Sequence, residues 1–149
     1  MENVLSFEEQ YNLLNGRLFG YVSRLLNQNF KHAGINLTKE QWTVLAVLWE
    51  KNGVSQQVIA NETGRDKPST TRLLDNLQKL GYIARISHQS DKRMNIITLT
   101  DFAEQEKDKI MTVVDKTFNI LTTGLTKQQI EGVRIVFKAI YSNIENQEK

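Results

Sequence analysis

Glycines divide the segment from residue 55 to residue 100 into stretches with different periodicities. The first stretch, SQQVIANETG, has a short helical pattern that Gly64 ends, and the second, RDKPSTTRLLDNLQKLG, has a longer one that Gly81 ends. Two short apolar stretches, YIARIS and MNIITL, follow, with the polar HQSDKR between them. The pattern predicts two helices joined by a tight turn and then a two-stranded ribbon at about 82–87 and 94–99.

The second of these helices has two different faces. Asp66 is placed to cap its N-terminus, and Pro68 stands in the first turn, where its missing N–H costs nothing. One stripe is apolar and consists of Leu73, Leu74, Leu77 and Leu80. At 100° per residue the opposite face holds Pro68, Thr71, Arg72, Asp75 and Lys79. We therefore expect an outward face that is polar and partly basic.

Positive charge is concentrated in the same part of the chain. Residues 64–93 carry seven Lys/Arg against three acids, a net charge of +4, whereas the whole 149-residue chain carries only +2. The rest of the chain is therefore slightly acidic. A basic patch in an otherwise neutral protein is the electrostatic pattern expected of a nucleic-acid-binding surface.

Long helices are predicted on both sides of this segment. Apolar residues at spacings of three and four predict one amphipathic helix over 7–30, and capping boxes at Thr38/Gln41 and Thr126/Gln129 mark two further helix starts. Thr100 is a good N-cap for a helix over about 101–121. The fold class expected is mainly α, a winged helix-turn-helix with a two-stranded β wing. We expect one domain over 1–149, with a DNA-binding core at about 38–100 and dimerisation helices at 1–33 and 101–149.

The basic helix has the residues needed to bind duplex DNA. The major groove admits one α-helix, and residues at the N-terminal end and outer face of that helix reach the bases. Here those residues are Lys67, Ser69, Thr70, Thr71 and Arg72. Arg72 is suited to a bidentate bond with guanine, and the Ser55 end of the preceding helix offers N–H groups to phosphates.

The turn of the ribbon is expected to reach the adjacent minor groove. A narrow minor groove attracts an inserted arginine, and Arg93 is the candidate. Asp91 would orient Arg93 by a charge-assisted hydrogen bond. The remaining expected DNA contacts in the ribbon are Arg85, His88, Ser90 and Lys92.

This combination resembles the MarR family of transcriptional regulators. The resemblance rests on STTRLLDNLQKLGYIAR, on the Asp-x-Arg at Asp91 and Arg93, on Leu99-Thr100, and on the order of helices along the chain. It implies a homodimer whose first and last helices pair, a major-groove helix, a wing whose Asp-x-Arg tip enters the minor groove, and often a small-molecule effector. In the family, Leu-Thr is often followed by two residues and then a Gly. In this chain it is followed by Asp101, Phe102 and Ala103, so Ala stands in the place of that Gly.

Other functions fit the sequence less well. No nucleophile–base pair, phosphate-binding Gly loop or metal-ligand spacing is present, and His32 and His88 are far apart, so we expect no enzyme, cofactor or metal. The chain has no Cys, no signal peptide and no membrane-spanning stretch, and we expect a cytoplasmic protein.

Less specific interpretations of the same residues stay open. The face with Arg72 and Lys79 fits a solvated helix, and Asp91-Lys92-Arg93 fits an ordinary polar turn. Trp42 and Trp49 are expected in the core rather than in a ligand cage. The main alternative function is a winged-helix adaptor that binds protein, because fold does not fix function. Basic residues on both helix and wing favour DNA.

Overall fold

The computed structural model describes residues 5–91 and 93–148. Its elements are α1 (Phe7–Asn15), α2 (Arg17–His32), α3 (Lys39–Glu50), β1 (Val54–Ser55), α4 (Gln56–Thr63), α5 (Lys67–Lys79), β2 (Ile83–Ser87), β3 (Asn95–Leu99), α6 (Asp101–Leu121) and α7 (Lys127–Glu145). The chain divides into two compact units, with the boundary between Val114 and Asp115. The predicted class, mainly α with a winged helix-turn-helix, is confirmed.

The first helical stretch is broken at Gly16, so the expectation of one helix over 7–30 is wrong. Gly16 has a φ of 64°, in the left-handed region, and its N–H donates to the carbonyl of Leu13 at 3.4 Å. This conformation ends α1 and begins α2, and glycine adopts it without the penalty that a Cβ imposes. A further capping box, between Ser6 and Glu9, starts α1.

The buried core of the first unit centres on α3. The capping box predicted at its start is present, because the Gln41 N–H donates to Thr38 Oγ1 at 3.2 Å and the Thr38 N–H donates to Gln41 Oε1 at 2.9 Å. Val44, Leu45 and Leu48 are fully buried. The other fully buried apolar side chains of this unit are Phe30, Ile59, Leu74, Leu77, Ile97, Ala103 and Ile110. Trp42 and Trp49 are partly buried against the core, as expected.

Helices α4 and α5 form the predicted helix-turn-helix. Ser55 caps α4, and Gly64 ends it with a φ of 62°. The Asp66 carboxylate then accepts the Ser69 N–H at 2.7 Å, and this bond lowers the pKa of Asp66 below its usual value. Leu74 and Leu77 anchor α5 in the core, so its opposite face is exposed.

The wing consists of β2, β3 and the turn between them, and it belongs to a three-stranded sheet. The strands lie in the order β1-β3-β2, and both pairings are antiparallel. Ile97 of β3 pairs with Arg85 on one side and with Val54 on the other. The expected two-stranded wing is present, and β1 adds a third strand to its sheet. A two-residue strand such as β1 is too short to show the alternation by which strands are recognised.

The second unit contains the end of α6 and all of α7. The predicted capping box at its helix start is present, with Gln129 N–H to Thr126 Oγ1 at 3.1 Å and Thr126 N–H to Gln129 Oε1 at 2.8 Å. Helix α7 has no fully buried residue, and its exposed apolar side chains are Val133, Ile135, Val136, Phe137, Ile140, Tyr141 and Ile144. Over residues 5–91 and 93–148, no helix has the length and apolarity needed to cross a bilayer.

Candidate nucleic-acid interface

Helix α5 presents its first turns and its polar face to solvent. Lys67 and Arg72 are exposed, and Ser69 is half-buried. Thr70 differs, because its side chain is fully buried and its hydroxyl donates to the carbonyl of Asp66 at 2.8 Å. Thr70 lies one and two turns before Leu74 and Leu77 on the buried face, so the expectation that it contacts DNA is wrong.

The turn of the wing has a defined backbone conformation. The Asp91 carboxylate accepts the Arg93 N–H at 2.9 Å, and the Asp91 carbonyl accepts the Met94 N–H at 3.0 Å. The contact between Asp91 and Arg93 is therefore made through the main chain of Arg93, and the Arg93 side chain is exposed. Lys92, expected to contact a phosphate, lies outside the described residues.

His88 and Ser90 form a small hydrogen-bonded group beside this turn. Ser90 Oγ lies 2.8 Å from His88 Nδ1, and the Ser90 N–H also points to that nitrogen at 3.2 Å. Because a backbone N–H can only donate, Nδ1 is the acceptor and the ring proton lies on Nε2 in the neutral imidazole. Ser90 is exposed and His88 is half-buried.

Arg85 has a different environment from the one expected. Its guanidinium lies 2.7 Å from the Asp75 carboxylate and donates also to the side-chain oxygen of Gln78, both on α5. The side chain of Arg85 is only 18% exposed. This environment favours a structural role for Arg85, in which it joins β2 to α5, over the expected DNA contact.

Four of the expected residues line one cleft of 360 Å³, which we name the wing cleft, and Ser69 and Arg72 are not among its lining residues. Helix α4 and the end of β1 form one wall, the start of α5 another, and the wing the third. Its lining residues are Ser55, Gln56, Gln57, Ala60, Lys67, Thr71, Arg93, Met94 and Asn95. The structure thus brings together Ser55, Lys67, Thr71 and Arg93, which are separated by up to 38 positions in the sequence.

Sequence reasoning missed Gln56, which is held in this cleft. Its side-chain Nε2 donates to Thr71 Oγ1 at 2.6 Å, so α4 and α5 are joined where both face the cleft. The one available sequence signal was the position of Gln56 immediately after the cap residue Ser55. A contact between residues that lie fifteen positions apart is a property of the fold.

The basic side chains of this surface form no close ion pair among the described residues, and Arg72 acts on the nearby Asp66 only at longer range, where its charge helps to lower the pKa of that carboxyl. Lys67, Arg72 and Arg93 form no salt bridge with any acid in the described part of the chain. Their charges are therefore free to attract an anionic partner. Among the residues placed by the structure, no group of three or more His, Cys, Asp or Glu could hold a metal.

Comparison with known sequences points to one family. A family model described as MarR family matches residues 33–94, which include α3, the helix-turn-helix and the wing as far as Met94. HTH-type transcriptional regulator FarR from Neisseria gonorrhoeae is 27% identical over 95 residues. That match covers 64% of this chain and 65% of FarR, slightly less than two thirds of the relative.

Solved structures share the fold over nearly the whole chain. A MarR transcriptional regulator from Methanosarcina mazei Go1 has a TM-score of 0.82 at 17% identity, covering 93% of this chain and 98% of that one. CouR from Rhodococcus jostii RHA1, solved with p-coumaroyl-CoA, has a TM-score of 0.74 at 24% identity, covering 91% and 94%. The resemblance recognised in the sequence is confirmed: residues 33–94 match the MarR family model, and the chain shares the winged helix-turn-helix fold of a solved MarR transcriptional regulator.

Proposed function

We propose that this protein binds a specific site in double-stranded DNA as a homodimer. The observation that carries the proposal is the wing cleft, in which Lys67 of α5 and Arg93 of the wing lie on two sides of one opening. Unpaired basic groups of this kind release counterions from DNA when they bind phosphates, which provides most of the affinity.

The docking follows from the shapes of helix and ribbon. Helix α5 enters the major groove, where the exposed Arg72 is placed to read a guanine, and Lys67 and Ser69 contact the backbone. The wing then lies at the adjacent minor groove, with Arg93 inserted at its turn. His88, Ser90 and Lys92 are proposed phosphate contacts, and Asp91 holds the turn through the Arg93 N–H.

The homodimer is supported by apolar surface that each unit leaves exposed. A soluble monomer seldom exposes so many large apolar residues. On α1 and α2 these are Phe7, Tyr11, Leu13, Leu14, Leu18, Phe19 and Tyr21. Helix α7 exposes a second set between Val133 and Ile144, and we assign both sets to contacts with a second copy. A two-fold dimer presents two α5 helices to half-sites about one helical turn apart in a pseudo-palindrome.

A small-molecule effector is the regulatory part of the proposal. The support is the CouR structure, whose bound p-coumaroyl-CoA shows that one protein of this fold binds such a ligand. An effector that prefers one arrangement of the two subunits shifts the population toward it, and so changes the half-site spacing that the dimer fits. Thermal-shift screening with and without operator DNA tests for such a ligand.

The test of DNA binding is selection of bound duplexes from a random pool, followed by anisotropy titration at several salt concentrations. The expected result is an enriched pseudo-palindrome, bound more weakly as salt rises. No enrichment, together with weak and salt-insensitive retention on heparin, would contradict DNA binding and support the protein-binding adaptor. Localisation in the cytoplasm is part of the same proposal, since the DNA must be accessible.

A further inference from the structure

The hydrogen bond between Gln56 and Thr71 has a fixed direction. The Thr71 hydroxyl carries one proton, which it donates to the carbonyl of Lys67 at 2.9 Å. It can therefore act only as an acceptor toward Gln56, whose Nε2 lies 2.6 Å away. The nitrogen side of the Gln56 amide must face Thr71, and this leaves one N–H and the carbonyl oxygen of the amide for other partners.

The location of this pair indicates what Gln56 binds. If α5 occupies the major groove and the wing the adjacent minor groove, the DNA strand between those grooves must pass between α5 and the wing. That space is the wing cleft, which both Gln56 and Thr71 line. Gln56 is the first residue of α4, and the N–H groups of a helix N-terminus favour phosphate oxygens.

We infer that Gln56 donates a hydrogen bond to a DNA phosphate in the wing cleft and that Thr71 is a positioning residue that holds the Gln56 amide in place. The inference rests on the proposed DNA-binding function and deepens it. It gives Thr71 a role other than base reading, because its hydroxyl is already used twice within the protein. The remaining N–H of Gln56 is the donor to the phosphate.

Two properties distinguish this role from base reading and from charge. A phosphate contact has no base identity, so its loss weakens binding to every duplex by the same factor. Gln56 and Thr71 are also uncharged, so their loss releases no additional counterions and the salt dependence of binding stays that of the wild type. A base-reading residue would alter sequence preference, and a lysine would alter the salt slope.

The experiment compares Gln56→Ala, Thr71→Val, their double variant and Thr71→Ser by anisotropy titration. The duplexes are the selected operator and a scrambled one, at three salt concentrations. Gln56→Ala and Thr71→Val should each weaken binding to both duplexes about three- to ten-fold, the range expected for one hydrogen bond. The double variant should bind no more weakly than the weaker single variant, because both lose the same contact. Thr71→Ser keeps the hydroxyl and should bind like the wild type.

Gln105→Ala removes an exposed amide of α6 outside the cleft and should leave binding unchanged. Unfolding midpoints identify a variant that fails to fold. If Thr71→Val fails to fold, Gln56→Ala and Thr71→Ser still test the inference. Three results would overturn the inference. They are additive losses of affinity in the double variant, unchanged binding by Gln56→Ala, and a loss of sequence preference confined to one base pair. Failure of the wild type to bind either duplex would instead overturn the proposed function.

Discussion

The guanidinium of Arg85 on β2 lies 2.7 Å from the carboxylate of Asp75 on α5. The same guanidinium also donates to Gln78, one turn further along α5. These bonds join the first strand of the wing directly to the helix that we place in the major groove. The wing and α5 therefore keep a fixed relative position, which two-groove binding requires.

The two wing arginines should respond differently to loss of their charge. Arg93→Gln should reduce the steepness of log affinity against log salt by up to about 0.9, because a cation inserted in the minor groove also displaces counterions from the DNA. Arg85→Gln removes the same charge but should leave that slope nearly unchanged, because its guanidinium is bound to Asp75. Arg85→Gln should instead reduce the free energy of unfolding by about 1 kcal/mol or less, as for other partly exposed ion pairs. Equal slopes for the two variants would contradict this assignment.

Arg72 should be the principal base-reading residue. Arg72→Ala should weaken operator binding by about 1–3 kcal/mol and relax the sequence preference at one position, measured by anisotropy against single-base operator variants. Arg72→Lys keeps the charge but loses the bidentate geometry, so it should recover general affinity without the preference. Lys79→Ala, at the far end of α5, is the matched control for loss of one positive charge. An unchanged preference in Arg72→Ala would remove this residue from base recognition.

Arg93 should matter most where the minor groove is narrow. Arg93→Ala should weaken binding more for operators with A·T-rich flanks than for operators with G·C-rich flanks, because a narrow A·T groove concentrates negative potential. Gel-shift titration of the two operator sets measures the ratio. If both sets lose affinity equally, Arg93 contacts phosphate on the outside of the DNA and does not enter the groove.

The apolar surface of α7 should hold the dimer together. Light scattering at micromolar concentration should give twice the chain mass for the wild type. Ile140→Glu should give a monomer, because a charge would be buried among apolar side chains of the interface. Ser142→Glu, also on an exposed part of α7, should stay dimeric. A wild-type monomer would contradict the homodimer.

The Asp66 cap should make stability depend on pH in the acid range. Its pKa is lowered in the folded protein, chiefly by the bond from the Ser69 N–H. A carboxyl whose pKa is lower when folded stabilises the protein above its unfolded value, about 3.8, and loses that contribution as pH falls through the folded value. Asp66→Asn keeps a capping oxygen but does not titrate, so its unfolding midpoint should fall less than that of the wild type between about pH 5 and pH 2. Parallel curves for the two proteins would show that Asp66 has no such role.

Local sequence rules predicted the helix boundaries well because they depend on neighbouring residues. The caps at Thr38, Ser55, Asp66 and Thr126 each accept the expected N–H three residues later. The break at Gly16 was missed because the apolar spacing continues across it. The buried position of Thr70 was available from its spacing to Leu74 and Leu77, but its hydroxyl and its place near the helix start suggested exposure.

Features of the site that depend on tertiary contacts could not be predicted. The pairing of Gln56 with Thr71 and that of Arg85 with Asp75 each join residues on different elements. Charge counting placed Arg85 among the DNA contacts because a sequence does not show which cations are already paired. The convergence of Ser55, Lys67 and Arg93 followed from the winged-helix topology once that topology was predicted.

Strand β1 connects the wing to helix α4. Val54 and Ser55 pair with the returning strand of the wing, and Ser55 is at the same time the cap of α4. Asn52 extends this connection, since its side-chain oxygen accepts the Leu99 N–H at 2.9 Å. Tilting the ribbon alone would strain the bonds that join it to β1 and to Asn52. In the proposed homodimer, each subunit would therefore move its DNA-contacting parts together, and the bound and released forms would differ in the distance and angle between the two winged-helix units.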